Sequence, residues 1–419
     1  MIAAAHPESV TIVGGGIIGL TVAHYLVDAG LKVTLIDKST IAAACSHGNC
    51  GYICPSHVLP LTEPAAIPLA IKSLFNPKAP FSVKPRFSPA LVNWMWQFAR
   101  RCTERQMLTS GVALKAILDS SLDEYKRLIA AQQLDCQFKT NGLLYVLRTD
   151  HGFDEFAKTD SFLTDNFGVT ATRMNGSELA TFEPALKPGL AGAFLYPGDA
   201  SVNPSQLNQS LVSSLKSRGV EFRENCLLTG VKKSSGRITH LETSQGELPV
   251  DAVVFATGAW STKLSSTLEC KIPIEPGKGY SVTMTRPEPC PSYPMLFPEH
   301  KVGVSPFENT YRLGSMMEFS GYDESIPAHR IQQLQDSAKP YLITPFTDQK
   351  LETWYGWRPM TWDSLPIIGQ TPRFSNTWLA TGHNMLGLSL ATATGRLVKE
   401  MILKEPTHID PLPYSPTRF

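Results

Sequence analysis

Three glycines near the N-terminus have the type and spacing needed to bind a phosphate group. They form a G-x-G-x-x-G pattern directly after the apolar run at residues 10–13. In such a pattern the first glycine allows a tight turn, the second lets a pyrophosphate approach the backbone, and the third lets a helix pack closely on a strand. The free N–H groups at the start of that helix face the phosphates. The residues expected to bind a dinucleotide here are Gly14, Gly16, Ile17, Ile18 and Gly19.

A second group of residues suited to chemistry lies near the C-terminus. Residues 354–369 contain Arg358, followed by a proline. A planar guanidinium matches a carboxylate through two parallel hydrogen bonds, so Arg358 is a candidate carboxylate anchor; a structural salt bridge is the alternative. A glycine-bearing loop follows. Its His383 is a candidate site residue, and the alternative is a histidine that only packs within the loop. The loop residues expected near the cofactor are Gly382, His383, Met385, Leu386 and Gly387.

The elements around the first glycines form a strand, a helix and a second strand. Residues 20–29 carry apolar side chains at helical spacing and stop at Gly30, and residues 32–36 are another apolar strand. Asp37 ends that strand, next to Lys38, and an acid there accepts hydrogen bonds from a ribose. Because a strand, a helix, a second strand and an acid accompany the glycines, the pattern is specific for a dinucleotide site. The alternative is a glycine-rich turn in an unrelated fold.

Later segments favour FAD over NAD as the dinucleotide. Residues 251–258 form a buried strand that ends in Ala-Thr-Gly, and strands near residues 220–223 and 227–231 precede it. An NAD domain usually occupies one continuous block of about 150 residues, whereas nucleotide-type elements recur here near residues 250 and 380. The sequence has no second G-x-G-x-x-G for NAD(P)H, so the flavin is expected to be reduced by the substrate itself. Leu228, Thr257 and Gly258 are expected beside it.

Together these blocks resemble the D-amino-acid oxidase superfamily of FAD proteins, and within it the small subunits of bacterial D-amino-acid dehydrogenases. The resemblance covers nearly the whole chain, and the Arg-Pro-Met-Thr-x-Asp-x-x-Pro-Ile-x-Gly block is its most specific part. The other matching segments are residues 11–19, 46–53, 68–72, 93–97, 277–281, 312–318 and 381–383.

The resemblance implies an α/β fold. A Rossmann-like FAD-binding domain would carry an inserted substrate domain built on a mixed, largely antiparallel sheet. We expect the discontinuous FAD-binding domain at residues 1–60, 200–262 and 354–419. The substrate domain is expected at residues 61–199 and 263–353.

The resemblance also implies oxidation of an amine next to a carboxylate, by hydride transfer from Cα to N5 of a non-covalently bound flavin. The arginine matching Arg358 would hold the carboxylate, and the amine would need to be neutral, without a strong protein base. Tyr52 or Tyr280 could share the anchoring, and His47 is a further catalytic candidate and a possible point of covalent flavin attachment. The residues expected beside the flavin are Ser46, Asn49 and Gly51.

Departures from the superfamily pattern leave the substrate and acceptor open. His47, Cys50, Tyr52 and Trp357 all differ from the residues expected near the flavin. A D-amino acid, a cyclic proline-type amino acid and an N-methyl amino acid are equally consistent with the pattern, and the resemblance favours a quinone or another respiratory acceptor. The alternatives are an oxygen-using oxidase of glycine, sarcosine or a cyclic amino acid, a non-catalytic flavin-binding subunit or sensor, and a nicotinamide dehydrogenase.

Composition excludes other classes of protein. The formal net charge is +1, without the basic excess of a nucleic-acid binder, and no apolar run is long enough for a membrane span. We expect a cytoplasmic protein with eight free cysteines and no metal. Residues 91–102 contain two tryptophans and are expected to form a helix that packs in the core or, alternatively, contacts the inner membrane surface. The proline-rich residues 60–85 could form a lid. The oligomeric state is open.

Overall fold

The computed structural model of the protein describes residues 6–74, 80–84 and 86–419. Its strands form four sheets. In chain order the described strands are β1 Ser9–Val13, β2 Lys32–Ile36, β3 Tyr52–Ile53, β4 Phe81–Val83, β5 Leu143–Leu147, β6 Thr172–Asn175, β7 Gly192–Tyr196, β8 Ala200–Ser201, β9 Glu221–Arg223, β10 Leu228–Ser234, β11 Arg237–Thr243, β12 Gly246–Pro249, β13 Ala252–Phe255, β14 Ile274–Met284, β15 Met295–Phe297, β16 Val302–Pro306, β17 Tyr311–Phe319, β18 Lys350–Thr361, β19 Ile367–Gln370 and β20 Thr377–Thr381.

Helices connect these strands. Within the described ranges, none combines the length and the apolar character needed to cross a bilayer. The α-helices are α1 Ile17–Asp28, α2 Ala66–Leu74, α3 Pro89–Ala99, α4 Glu104–Gln132, α5 Asp150–Phe167, α6 Gly176–Phe182, α7 Pro204–Ser217, α8 Ala328–Ala338 and α9 Ala391–Leu403, and short 3₁₀ helices cover Gly258–Leu264, Leu412–Tyr414 and Pro416–Arg418.

A six-stranded sheet carries the glycine pattern. Its strand order is β19-β20-β13-β1-β2-β9, and β1 pairs in parallel with both β2 and β13. Its central strands are apolar and buried, as expected for a parallel sheet covered on both faces. Helix α1 packs against α9, where Gly395 approaches the backbone of Thr21 so closely that a Cβ would lie 2.7 Å from its carbonyl oxygen. The predicted Rossmann-like part of the fold is confirmed.

A nine-stranded sheet forms the other large layer. Its strand order is β18-β14-β17-β16-β15-β5-β7-β6, with β4 paired to β17. Most pairs are antiparallel, while β15 with β5 and β17 with β4 are parallel, which confirms the predicted mixed and largely antiparallel sheet. The predicted domain boundary at residue 354 falls inside β18, which pairs with β14 over nearly its whole length. Residues 354–361 therefore lie in this sheet and not in the six-stranded one.

Two helices begin elsewhere than the sequence predicts. Helix α1 begins at Ile17 and not at residue 20, because Gly16 is already in an extended conformation and the Ile17 N–H donates to Ser46 Oγ at 3.0 Å. Helix α9 begins at Ala391 and not at residue 388. Ser389 lies in the turn before this helix. Its hydroxyl donates to Tyr52 O and accepts from the Cys54 N–H, so hydrogen bonds connect this turn to β3 and the residue after it.

Candidate active site

A cavity of about 2020 Å³ is lined by residues from both large sheets. This exceeds the roughly 300–1,000 Å³ of an ordinary small-molecule pocket, so a long cofactor and a substrate can share it. Four predicted site residues are absent from its lining: Gly19, His47, Gly51 and Gly382. The predicted residues that line it are Gly14, Gly16, Ile17, Ile18, Asp37, Lys38, Ser46, Asn49, Tyr52, Leu228, Thr257, Gly258, Tyr280, Arg358, His383, Met385, Leu386 and Gly387.

The three glycines of the N-terminal pattern differ in what surrounds them. Gly14 has φ +115°, and a Cβ there would overlap the carbonyl of Ala256 on the neighbouring chain segment. A Cβ at Gly19 would overlap the carbonyl of Gly14, so Gly19 serves the close packing of helix on strand. A Cβ at Gly16 would meet only Ser46 Oγ, at 3.6 Å. Gly14 and Gly19 are therefore needed by the fold itself, while Gly16 leaves open space on the cavity side.

Polar groups converge on the start of α1. The Ile17 N–H donates to Ser46 Oγ, and the Gly15 N–H donates to Asp37 Oδ2 at 2.7 Å. The other carboxylate oxygen, Asp37 Oδ1, accepts from the N–H and hydroxyl of Ser39. Backbone donors, a helix N-terminus and an acid at the end of β2 are the set that binds the pyrophosphate and ribose of a dinucleotide.

Residues 45–52, here called the 45–52 segment, pack on one face of the nine-stranded sheet. Cys50 lies over Gly314, where a Cβ would come within 2.5 Å of its sulfur, and the Cys45 thiol donates to Trp357 O at 2.7 Å. Burial raises the pKa of the Cys45 thiol to about 11, so it remains a protonated donor. Because glycine has no side chain, this segment approaches the sheet closely enough to form one wall of the cavity.

Arg358 projects from β18 onto the same face of the sheet. Its guanidinium lies over Gly279 of β14, in the space that any side chain at that position would fill. Its Nη1 donates to Met316 O at 2.7 Å. Among the described residues no acidic side chain forms an ion pair with it. Burial lowers the pKa of Arg358, but a guanidinium remains charged in proteins. The cavity thus contains a cation with no counter-ion from the described chain.

The three other candidate catalytic residues are already engaged. The Tyr52 hydroxyl is directed at Met295 O (2.8 Å) and Val304 O (3.0 Å), and the Tyr280 hydroxyl donates to Glu318 at 2.5 Å. His47 lies outside the cavity lining, with Nε2 at 2.8 Å from a carboxylate oxygen of Glu352. The geometry therefore supports Arg358 as the anchor and offers no support for the predicted roles of these three side chains.

The loop after β20 closes the side of the cavity near α9. Asn384 connects this loop to β18. Its side-chain oxygen accepts from the Thr361 N–H at 2.9 Å, and its backbone N–H donates to Pro359 O. His383 is buried with Nε2 at 3.0 Å from Thr394 Oγ1, and burial lowers its pKa to about 3, so its ring is neutral. Its contacts are those of a packed loop histidine, and Met385 is the exposed residue of this loop.

Beside Arg358 the cavity has an apolar end. Met316, which accepts the arginine's hydrogen bond, is followed by Met317, and Met360 lies two residues beyond Arg358 on β18. Helix α3 covers this end of the sheet, and its Trp94 belongs to the same hydrophobic cluster as Met360. The remaining apolar lining consists of Leu61, Phe81, Val83, Met95, Phe98 and Phe319.

Sequence reasoning missed the glycines of the nine-stranded sheet and the buried Arg312. In the register of the sheet, Gly303 lies opposite Gly314 and Gly279 opposite Gly356. A signal was present, since residues 277–281 read Gly-Lys-Gly-Tyr-Ser and a glycine at every second strand position leaves one face without side chains. Arg312 carried no comparable signal, because its partners lie far away along the chain.

Comparison with known proteins identifies the family. Residues 9–401 match the model of the FAD dependent oxidoreductase (DAO) family. The chain belongs to this FAD-dependent family. A D-amino acid dehydrogenase of Neisseria meningitidis is 30% identical over 406 residues, which cover 96% of this chain and 97% of that protein. The solved structures of a glycine oxidase from Geobacillus kaustophilus (TM-score 0.77, 22% identity, covering 99% and 100% of the two chains) and an L-proline dehydrogenase from P. horikoshii (0.74, 21%, 99% and 98%) share the fold.

The described residues fit the cofactor of the FAD-dependent family. Gly14, Gly16 and the N-terminus of α1 would hold the pyrophosphate, and Asp37 would hold a ribose. The open space beside Gly16, at the start of α1 and on the cavity side, is the observation that supports this fit. The 45–52 segment and the loop after β20 would enclose the rest of FAD, on the side of the cavity that Arg358 also lines.

Proposed function

We propose that the protein is a dehydrogenase that oxidises an amino acid, either a D-amino acid or a cyclic proline-type one. The observation that carries this proposal is Arg358, a cation without an acidic partner among the described residues, in the cavity that also contains the FAD-binding groups. A flavin-binding subunit or sensor without turnover would have no use for such an anchor. The D-amino acid dehydrogenases at 30% identity support the same substrate class.

Each part of the site has a task in this reaction. Arg358 binds the carboxylate through the guanidinium donors that are not used by Met316 O, and so orients the amine-bearing carbon. FAD, when bound, supplies a two-electron acceptor for the hydride from Cα. The tyrosine and histidine side chains near the site are engaged or neutral, so the substrate amine has to lose its proton in solution or on binding.

The apolar end of the cavity bears on the substrate side chain. Met360 lies two residues from Arg358, or about 7 Å along the strand, so a side chain attached to an anchored carboxylate can reach it. Leu61, Phe81 and Phe319 give this end an apolar surface, and the nearby Arg86, which also lines the cavity, is already paired with Glu275. This favours an amino acid with an uncharged side chain over one with a second charged group.

An anaerobic absorbance titration tests the proposal. Purified yellow protein receives D- and L-amino acids, proline derivatives or sarcosine in turn, and air is admitted afterwards. We expect bleaching near 450 nm by one class of amino acid and slow recovery in air, as for a dehydrogenase. Fast recovery would identify an oxygen-using oxidase instead, and a protein that no amino acid bleaches would contradict the proposed activity while leaving FAD binding intact.

We further propose that electrons leave through a quinone or another respiratory acceptor at the cytoplasmic face of the membrane. Helix α3 contains no charged residue, and it is apolar on both sides. Trp94 and Leu91 face the core, while Val92 and Trp96 are 68% and 57% exposed. Arg100 lies over the Trp96 ring, as in side chains that meet a lipid headgroup region. The side of α3 that carries Val92 and Trp96 is the one that would meet the membrane in this proposal.

Replacing Trp96 and Phe87 together with glutamine is expected to weaken vesicle binding about tenfold. Phe87 is fully exposed immediately before α3, and two large apolar side chains that enter a lipid interface contribute a few kcal/mol at most. The measurement is co-sedimentation with vesicles of phosphatidylglycerol and phosphatidylethanolamine. Leu412→Gln is the matched control, because Leu412 is 74% exposed outside α3. Equal loss in the control, or no binding by the unmodified protein, would contradict the membrane proposal.

A further inference from the structure

Arg312 is a buried cation whose hydrogen bonds are made mainly to the backbone. It lies on β17 and is 4% exposed. Its Nη1 donates to His47 O at 2.9 Å and to Asn49 O at 2.7 Å, and its Nε donates to Thr283 Oγ1 at 2.9 Å. Among the described residues, the one carboxylate that pairs with it is that of Glu352, which is 3.8 Å away and is shared with the His47 ring. Burying a charge is costly unless it is hydrogen-bonded, and here the Nε and Nη1 donors make those hydrogen bonds.

The carbonyl groups that Arg312 binds belong to the 45–52 segment, which links the two halves of the site. At one end of the segment, Ser46 accepts the N–H of Ile17 at the start of α1. Cys45, next to it, donates to the carbonyl of Trp357, the residue before Arg358. At the other end, Ser305 of β16 donates to Cys50 O at 2.6 Å. A shift of this segment would therefore change the position of α1 relative to β18.

We propose that Arg312 is a positioning residue that sets the spacing between the FAD-binding helix α1 and the carboxylate anchor Arg358. This inference rests on the proposed function, because it assumes that Arg358 holds the substrate. The pair of N–H bonds fixes two carbonyls of the segment against the glycine face of the sheet. Hydride transfer depends steeply on distance, and a misplacement of about 1 Å can lower a rate by about 10²-fold.

Arg312→Met and Arg312→Lys, both studied as holoenzymes, test the proposal. For Arg312→Met we expect kcat per bound FAD to fall by about 10- to 100-fold, while KM changes less than about threefold because Arg358 is intact. Arg312→Lys keeps one charged donor and is expected to recover part of the rate. Arg396→Met is the matched control, since Arg396 bridges Glu124 and Glu400 away from the cavity; it should lower the melting temperature without changing kcat.

A second measurement does not depend on turnover. Benzoate, a carboxylate that cannot be oxidised in this way, is titrated into each holoenzyme and the change in the flavin absorbance spectrum is recorded. We expect a smaller change for Arg312→Met than for the unmodified protein. An unchanged kcat and an unchanged benzoate spectrum in Arg312→Met would overturn the inference. Failure of every amino acid to bleach the unmodified protein would instead count against the proposed function, and the benzoate spectra would still decide the role of Arg312.

Discussion

Arg358→Met is expected to lower kcat/KM for the amino-acid substrate by about 10³-fold while FAD stays bound. The Arg358 guanidinium lines the cavity, donates to Met316 O through Nη1, and has no acidic partner among the described residues. Removing one member of a buried, hydrogen-bonded charge pair costs about 2–5 kcal/mol, and each 1.4 kcal/mol is a factor of ten. Methionine keeps the unbranched apolar stem of the side chain and removes only the guanidinium that lies over Gly279.

The loss should be specific for the carboxylate. An amino-acid amide has no carboxylate, and we expect the unmodified enzyme to prefer the acid over its amide by a large factor that disappears in Arg358→Met. Arg358→Lys keeps the charge but loses the planar fork, and an intermediate kcat/KM is expected. Steady-state kinetics with the acid and the amide, at matched FAD content, give all three values. An unchanged KM for the acid in Arg358→Met would show that the carboxylate is bound elsewhere.

The N-terminal part of the fold could be predicted because its information is local. Strand β2 has the bounds that the sequence indicates, β1 differs by one residue, and α1 differs by three residues at its start. Periodicity over about ten residues fixes each of these elements. The small error at α1 arose because Ser46, 29 residues away, caps the helix from outside.

The state of the tyrosine hydroxyls could not be predicted in the same way. Tyr280 follows Gly279, and successive strand residues point to opposite faces, so Tyr280 points away from the guanidinium and toward Glu318. Which face carries the site depends on the register of β14 with β17 and β18, which is set by residues 27 to 87 positions apart along the chain. The sequence indicated Arg358 as an anchor, but it did not indicate which neighbouring hydroxyls were already bonded.

The same reason explains His47 and the 45–52 segment. The resemblance placed His47 and Ser46 in one stretch beside the flavin, and the structure separates them: Ser46 faces α1, while the His47 ring turns to Glu352 on β18. Ser46 and His47 lie in a turn, where the His47 N–H donates to Ala44 O, and their side chains leave the turn in different directions. A residue that lies in a cofactor-binding segment of the sequence is therefore expected to have its backbone near the cofactor. The position of its side chain does not follow from this.

Gly16→Ala is expected to leave the protein folded and to weaken FAD binding by about 10²-fold or more. Gly16 has ordinary extended backbone angles, and a Cβ there would meet only Ser46 Oγ at 3.6 Å, which is normal contact. The added methyl group would occupy the space through which a pyrophosphate reaches the N–H groups of α1. Charge-assisted hydrogen bonds contribute about 1.5–3 kcal/mol each, so the loss of two of them corresponds to at least that factor.

Two other glycines make the experiment decisive. Gly14→Ala places a Cβ against Ala256 O at a φ of +115°, so we expect it to lower the melting temperature of the apoprotein as well as to abolish FAD binding. At Gly198 an added Cβ meets nothing within 4 Å, and Gly198→Ala should match the unmodified protein in both properties. Apoprotein melting temperature and FAD titration by fluorescence quenching separate the two effects. If Gly16→Ala binds FAD as tightly as Gly198→Ala does, the pyrophosphate is not held at the start of α1.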